Sequence, residues 1–180
     1  MKIELKNIKY CNALSRDSIA FTANLYVEGK HIAFCEDDGD GGCVKIDAND
    51  GCRSLLEDTE NYVKQLPKDT ENDLNMNLEL YVSRLIYENL IEVELNKTLR
   101  KHEKDHVIYG KTKLDTERMY YIGSQKIKIS IDKLLSIPQY KEKLIKDMTG
   151  LIKEGFTIFN TNIPKELINS IYTINKKSNN

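Results

Sequence analysis

Apolar and polar residues alternate over residues 19–27: Ile19, Phe21, Ala23, Leu25 and Val27 fall on one side, Ala20, Thr22, Asn24 and Tyr26 on the other. A period of two marks a strand with one wet face. Residues 2–6 alternate in the same way, with Ile3 and Leu5 set against Lys2, Glu4 and Lys6. Gly29 lies between the long strand and a return strand, His31–Cys35, and supplies the freedom a short hairpin loop needs. Strict alternation points Ile32 and Phe34 inward on that return strand. A glycine-rich acidic loop over residues 36–42 leads to a short fourth strand, Cys43–Ile46. Residues 1–50 therefore read as an antiparallel β-meander.

Residues 52–105 change to helical spacing. Leu55, Leu56, Tyr62, Val63 and Leu66 form one stripe, which Pro67 ends. Asp69 or Thr70 is placed to cap a second helix running from about Asp73 to about Lys104. Its middle is apolar around most of the circumference, with only Arg84, Glu88 and Glu92 as an evident wet stripe. Such a helix is expected to be buried, at the centre of the domain or against a second copy of the chain.

Residues 106–175 return to mixed structure. Short strands are expected at Val107–Tyr109, at Met119–Ile122, along the alternating Ile127, Ile129 and Ile131, and at Phe156–Phe159. Helices are expected after Pro138, ending near Gly155, and after Pro164. The whole reads as a single α+β domain: an N-terminal antiparallel meander packed on a long central helix, with C-terminal strands and helices completing it.

Composition narrows the function classes. The 180 residues carry 27 basic and 28 acidic side chains, and a net charge of −1 argues against a dedicated nucleic-acid binder. The balance is uneven: residues 1–100 hold 12 basic and 19 acidic groups, and residues 101–180 hold 15 and 9. Such a polar chain is suited to docking on a charged partner. No run of residues is apolar enough for a membrane span, and the first ten alternate as a strand does and not as an export signal does, so a cytoplasmic protein is expected. Cys11, Cys35, Cys43 and Cys52 are then expected to be reduced, and they contain no C-x-x-C pair for zinc.

Three motifs could carry chemistry. His102-Glu103-Lys104-Asp105-His106 matches H-E-x-x-H, in which two histidines one helical turn apart grip zinc and the glutamate activates a bound water. The match sits at a charged helix end, no third histidine follows, and the strand expected from Val107 leaves His106 little room on the helix. Asp37, Asp38 and Asp40, on a glycine-rich turn, could hold a divalent cation, although strands rather than helices flank them. The basic cluster Lys97, Arg100, Lys101, Lys104, Lys111 and Lys113, with Tyr109, Tyr120 and Tyr121, could bind a small ligand such as a nucleotide. Each has a plainer reading: favourable charge at a helix C-terminus, a capped turn, and ordinary packing of tyrosines. No catalytic, cofactor-binding or metal-binding residue is assigned, and no cofactor is expected.

The ends of the chain add context. The strings MKIELKNIKY, SIAFTANLYVEGKHIAF and DDGDGGC, with FTIFNTNIP near the C-terminus, resemble a loose group of short uncharacterised proteins of bacteriophages and mobile elements. The matching ends cover roughly a third of the chain, and its loop is more acidic than the group's pattern. The resemblance implies an accessory protein acting in the cytoplasm of a bacterial host. It carries over no catalytic residue. The expected function is thus non-enzymatic: binding of a host protein, such as a defence or regulatory factor. The alternatives are a small-ligand or nucleotide binder and a metal-dependent hydrolase using His102, Glu103 and His106. A homodimer through the 73–104 helix is compatible with all three.

Overall fold

The computed structural model describes residues 1–68, 74–120 and 129–178. The fold class is α+β, as expected. The chain divides into two compact units, Met1–Asn89 and Leu90–Asn180.

The first unit is a four-stranded antiparallel sheet in the order β1 (Ile3–Tyr10), β2 (Phe21–Val27), β3 (Lys30–Asp37), β4 (Lys45–Ala48). The β2–β3 turn places both Glu28 (φ 47°) and Gly29 (φ 81°) in the left-handed region. That is the pair of dihedrals a two-residue hairpin needs to match strand twist. One face of the sheet, with Phe21, Ala23, Leu25, Val27, Ala33 and Cys35, packs on α1 (Arg53–Val63) and on Leu78, Val82 and Ile86 of α2 (Leu78–His102).

Two bulges break the alternation. Between Lys6 and Lys9, β1 gains a residue relative to β2 at Asn7, whose φ is 55°. Leu25 pairs with Ala33 but Tyr26 with His31, so Ile32 is the extra residue of β3. Phe34, expected inward, instead pairs with the outward Asn24 and is 37% exposed. Ala33 and Cys35 take the inward positions, and Ile32 is buried within the bulge. A register shift of one residue exchanges the faces of a strand.

The second unit holds a three-stranded antiparallel sheet in the order β6 (Thr116–Tyr120), β5 (His106–Gly110), β7 (Thr157–Ile158). Val107, Tyr109 and Ile158 pack on α3 (Ile131–Ser136), α4 (Pro138–Lys153) and α5 (Lys165–Ser178). Ile108, whose side chain alternates with theirs, packs on Leu95 and Leu99 of α2 and on Phe159. Gly155 (φ 87°) ends α4 with the Phe156 N–H donating to the Leu151 carbonyl, a left-handed C-cap.

Several expectations change. Asn77 caps α2, its side-chain oxygen accepting from the Leu80 N–H at 2.8 Å; Asp69, Thr70 and Asp73 lie outside the described residues. The helix is not buried all round: Leu78, Val82, Ile86, Leu95 and Leu99 are, whereas Tyr87 is 48% exposed. Ile131 begins α3, capped by Ser130, instead of ending a strand. Residues 121–128, with Tyr121 and Ile127, lie outside the described residues.

Candidate functional site

The H-E-x-x-H string straddles the end of α2 and the start of β5. His102 is the last residue of the helix and His106 the first of the strand, so the two do not stack one helical turn apart. Their rings meet edge to face with centroids 5.2 Å apart. Arg118 of β6 reaches the Nε2 of His102 at 2.5 Å. A guanidinium only donates, so this nitrogen is the acceptor of a neutral imidazole. Partial burial first, then the positive Arg118, holds the His102 pKa below its usual value. A cation thus already occupies the nitrogen a metal would use.

The other members of the string turn to the structure around them. His106 is buried, and its Nδ1 lies 2.7 Å from Asp105 Oδ1 and 3.2 Å from the His102 carbonyl. The Glu103 carboxylate accepts from the Thr161 N–H at 3.0 Å and from its hydroxyl at 2.7 Å. The Glu103 carbonyl accepts from the Asn162 side chain at 2.7 Å. Asn160, 6% exposed, accepts from the Ile108 N–H at 2.7 Å and donates to the His106 carbonyl at 2.9 Å. The Asn160 and Asn162 side chains thus satisfy the carbonyls of Glu103 and His106 in the turn where α2 gives way to β5. Glu103 and His106 therefore belong to a clamp between the α2–β5 turn and residues 160–162, while His102 is held by Arg118. Sequence reading missed the clamp because its halves lie more than fifty residues apart.

The acidic loop also spends its carboxylates separately. Asp37 accepts from the Ser18 hydroxyl at 2.8 Å and from the Gly39 N–H at 2.7 Å. Asp38 pairs with Lys45 at 3.5 Å and Asp40 with Arg16 at 3.5 Å. The Gly39 carbonyl accepts from the N–H groups of Arg16, Asp17 and Ser18. The loop is thereby docked on residues 16–18. Among the described residues, no three His, Cys, Asp or Glu side chains converge as a ligand set.

The basic cluster is spread along α2 and the β5–β6 turn. Lys97 pairs with Glu94 at 2.6 Å, and Lys113 with Glu92. Tyr109 packs edge to face on Phe156 and donates to Glu117 at 2.9 Å. Its phenol is raised above its usual pKa by burial and then by that carboxylate. Cys35 and Cys52 are buried and Cys11 and Cys43 exposed, all four as free thiols.

The outer face of the first sheet is the feature that the sequence did not suggest. Tyr26 and His31 stack there with centroids 5.1 Å apart and planes 18° from parallel. The Lys6 ammonium lies 4.4 Å from the centre of the Tyr26 ring. Phe34 and Asn24 are neighbours across the strands, and Lys9 stands opposite Thr22 at the β1 edge. Residues three apart on a regular strand point to opposite faces. The two bulges put both Lys6 and Lys9, and both His31 and Phe34, on this one face.

Comparison with family models, with curated proteins and with solved structures finds no match. Among the described residues, no helix is long and apolar enough to cross a membrane.

Proposed function

We propose that this chain works by recognition, through the outer face of its N-terminal sheet, and carries no reactive centre. The observation that supports this reading is the Tyr26–His31–Phe34 group on that face. Aromatic rings gathered on an uncovered sheet face are recognition groups, since they add contact area with little loss of conformational freedom on binding. The groups that look reactive have other work: Arg118 holds His102, and Glu103 holds Thr161. A setting inside a bacterial host, with a host protein as partner, is what the resemblance of the chain ends implies.

The test is a photo-reactive benzoylphenylalanine placed at Phe34, with the same residue at the exposed Tyr140 of α4 as control. An adduct formed in a bacterial lysate from position 34 and not from 140 is expected. No adduct from position 34 would remove the face from consideration. Stoichiometric zinc in the purified chain, with melting lowered by EDTA, would restore the hydrolase reading.

A further inference from the structure

We infer that the turn at Asp50 and Gly51 is a self-modification site, where the Gly51 nitrogen closes onto the Asp50 side chain and converts the peptide link to isoaspartate. The chain has three Asp–Gly pairs: Asp38–Gly39, Asp40–Gly41 and Asp50–Gly51. Glycine after aspartate favours this ring closure, because no Cβ stands beside the attacking nitrogen and the backbone rotates freely there. Sequence alone does not rank the three pairs; the structure does.

The reaction sets the demands. The glycine nitrogen attacks the aspartate Cγ and forms a new C–N bond. The amide proton and the side-chain hydroxyl leave together as one molecule of water, and a succinimide ring results. Water then adds back to one of the two ring carbonyls and breaks its C–N bond. Opening at the main-chain carbonyl leaves the chain running through the side chain, as isoaspartate. Water is the only co-reactant. The glycine N–H must therefore be free of a hydrogen bond, and the aspartate side chain must be free to turn toward it.

Two of the pairs fail these demands. The Gly39 N–H donates to the Asp37 carboxylate at 2.7 Å, Gly39 is buried, and its carbonyl is held by three further N–H groups. The Gly41 N–H donates to the Ser18 hydroxyl at 3.2 Å. Asp38 and Asp40 hold Lys45 and Arg16, each at 3.5 Å, and must leave them to reach the nitrogen.

The third pair meets them. Asp50 and Gly51 form the middle of a turn closed by the Cys52 N–H donating to the Asn49 carbonyl at 2.9 Å. Both residues are exposed, and among the described residues neither the Gly51 N–H nor the Asp50 carboxylate has a partner. Gly51 adopts φ 69°, and nothing lies within 4 Å of where a Cβ would stand. The start of the turn is tied to β3: the Asn49 N–H donates to the Ile32 carbonyl at 2.8 Å and its side chain to the His31 carbonyl at 3.3 Å. The extra backbone methylene of an isoaspartate is thus taken up between Asn49 and Cys52, just before α1.

The test is incubation of the folded chain in heavy-oxygen water at neutral pH, followed by digestion and mass spectrometry with electron-transfer fragmentation. Each succinimide that reopens leaves one heavy oxygen at its own pair. Label at residues 50–51 should accumulate at least about tenfold faster than at 38–39, where a hydrogen bond to a carboxylate must open first. It should outpace residues 40–41, held by a neutral hydroxyl, about 2- to 12-fold. In urea the three rates should converge. A protease that cuts before aspartate and not before isoaspartate should progressively lose its cut at residue 50. Asp50→Glu lengthens the side chain, disfavours the ring and should abolish label at that pair alone; the position is exposed, and circular dichroism checks the fold. No label at 50–51, or label there that either other pair matches in the folded chain, overturns the inference. So does label that survives Asp50→Glu, or an undiminished cut at residue 50.

Discussion

Replacing Asn160 tests whether the H-E-x-x-H string is a structural clamp. The amide is oriented by its partners: the oxygen faces the Ile108 N–H, and the nitrogen faces the carbonyls of His106 and Glu103 and the side-chain oxygen of Asn162. Asn160→Ala strands the Ile108 N–H in a fully buried position. A buried donor left unmade costs about 1–3 kcal/mol, and the His106 carbonyl loses its partner as well. The sum is about 3 kcal/mol, or a fall in Tm of about 6–12 °C for a chain of this length. Asn160→Asp separates this account from a simple loss of volume. It keeps the acceptor for Ile108 but sets a carboxylate against three oxygens, so it should be at least as damaging as alanine. Glu103→Gln keeps an acceptor for Thr161 and should cost less than about 1 kcal/mol. Urea unfolding followed by circular dichroism measures all three. An Asn160→Asp variant as stable as the parent would refute the assigned amide orientation, and with it the clamp.

Other consequences are quicker to check. Gly39 (φ 88°) would place a Cβ 2.3 Å from the Leu14 carbonyl oxygen, so Gly39→Ala should cost about 2 kcal/mol or more, while the unobstructed Gly42→Ala stays within about 0.5 kcal/mol in the same urea titration. Cys35 is fully buried and its thiol is pushed up to about 12 by burial, so in the folded chain a thiol reagent should label the exposed Cys11 and Cys43 quickly and spare Cys35 and Cys52; rapid loss of all four thiols would contradict the core. The folded chain holds the His102 pKa below the usual 6.5, so this site's stability is full above that value and is lost as pH falls through it toward the folded value. Melting followed from pH 7.5 to 5, about a unit either side of an ordinary histidine, should fall less in His102→Gln than in the parent; identical profiles would exclude the Arg118 contact.

The sequence was most legible where one rule acted alone. Alternation over residues 19–27 placed the inward face of β2 correctly, and Pro138 and Gly155 marked the ends of α4. It was least legible where tertiary structure inserted a residue. Phe34 was misassigned because the bulge at Ile32 depends on how β3 lies against β2, and local pattern carries no sign of that pairing. Asn160-Thr161-Asn162 looked like loop polarity, whereas its partners are a helix end that sequence distance concealed. The apolar circumference of α2 also has a particular source. Its first turns bury Leu78, Val82 and Ile86 in one core, and its later turns bury Leu95 and Leu99 in another. Two amphipathic stripes with different bearings, written along one helix, average to an apparently all-apolar segment.

The same averaging limits what a net charge of −1 can say about function. The boundary at Asn89 separates a unit of net −7 from one of seventeen basic and eleven acidic residues, net +6, so the whole-chain value describes neither. Resolution finer still is needed for recognition. A ligand on the outer sheet face senses groups within about one screening length, and those are set by strand register and by two inserted residues. The same β1 sequence paired without its bulge would send Lys9 to the core side and break the lysine row without changing composition at all. What this face can recognise is therefore a property of pairing geometry: deletion of Asn7, which restores a regular β1, leaves Lys6 and Lys9 two positions apart and both outward, and should alter it less than charge reversal of either lysine.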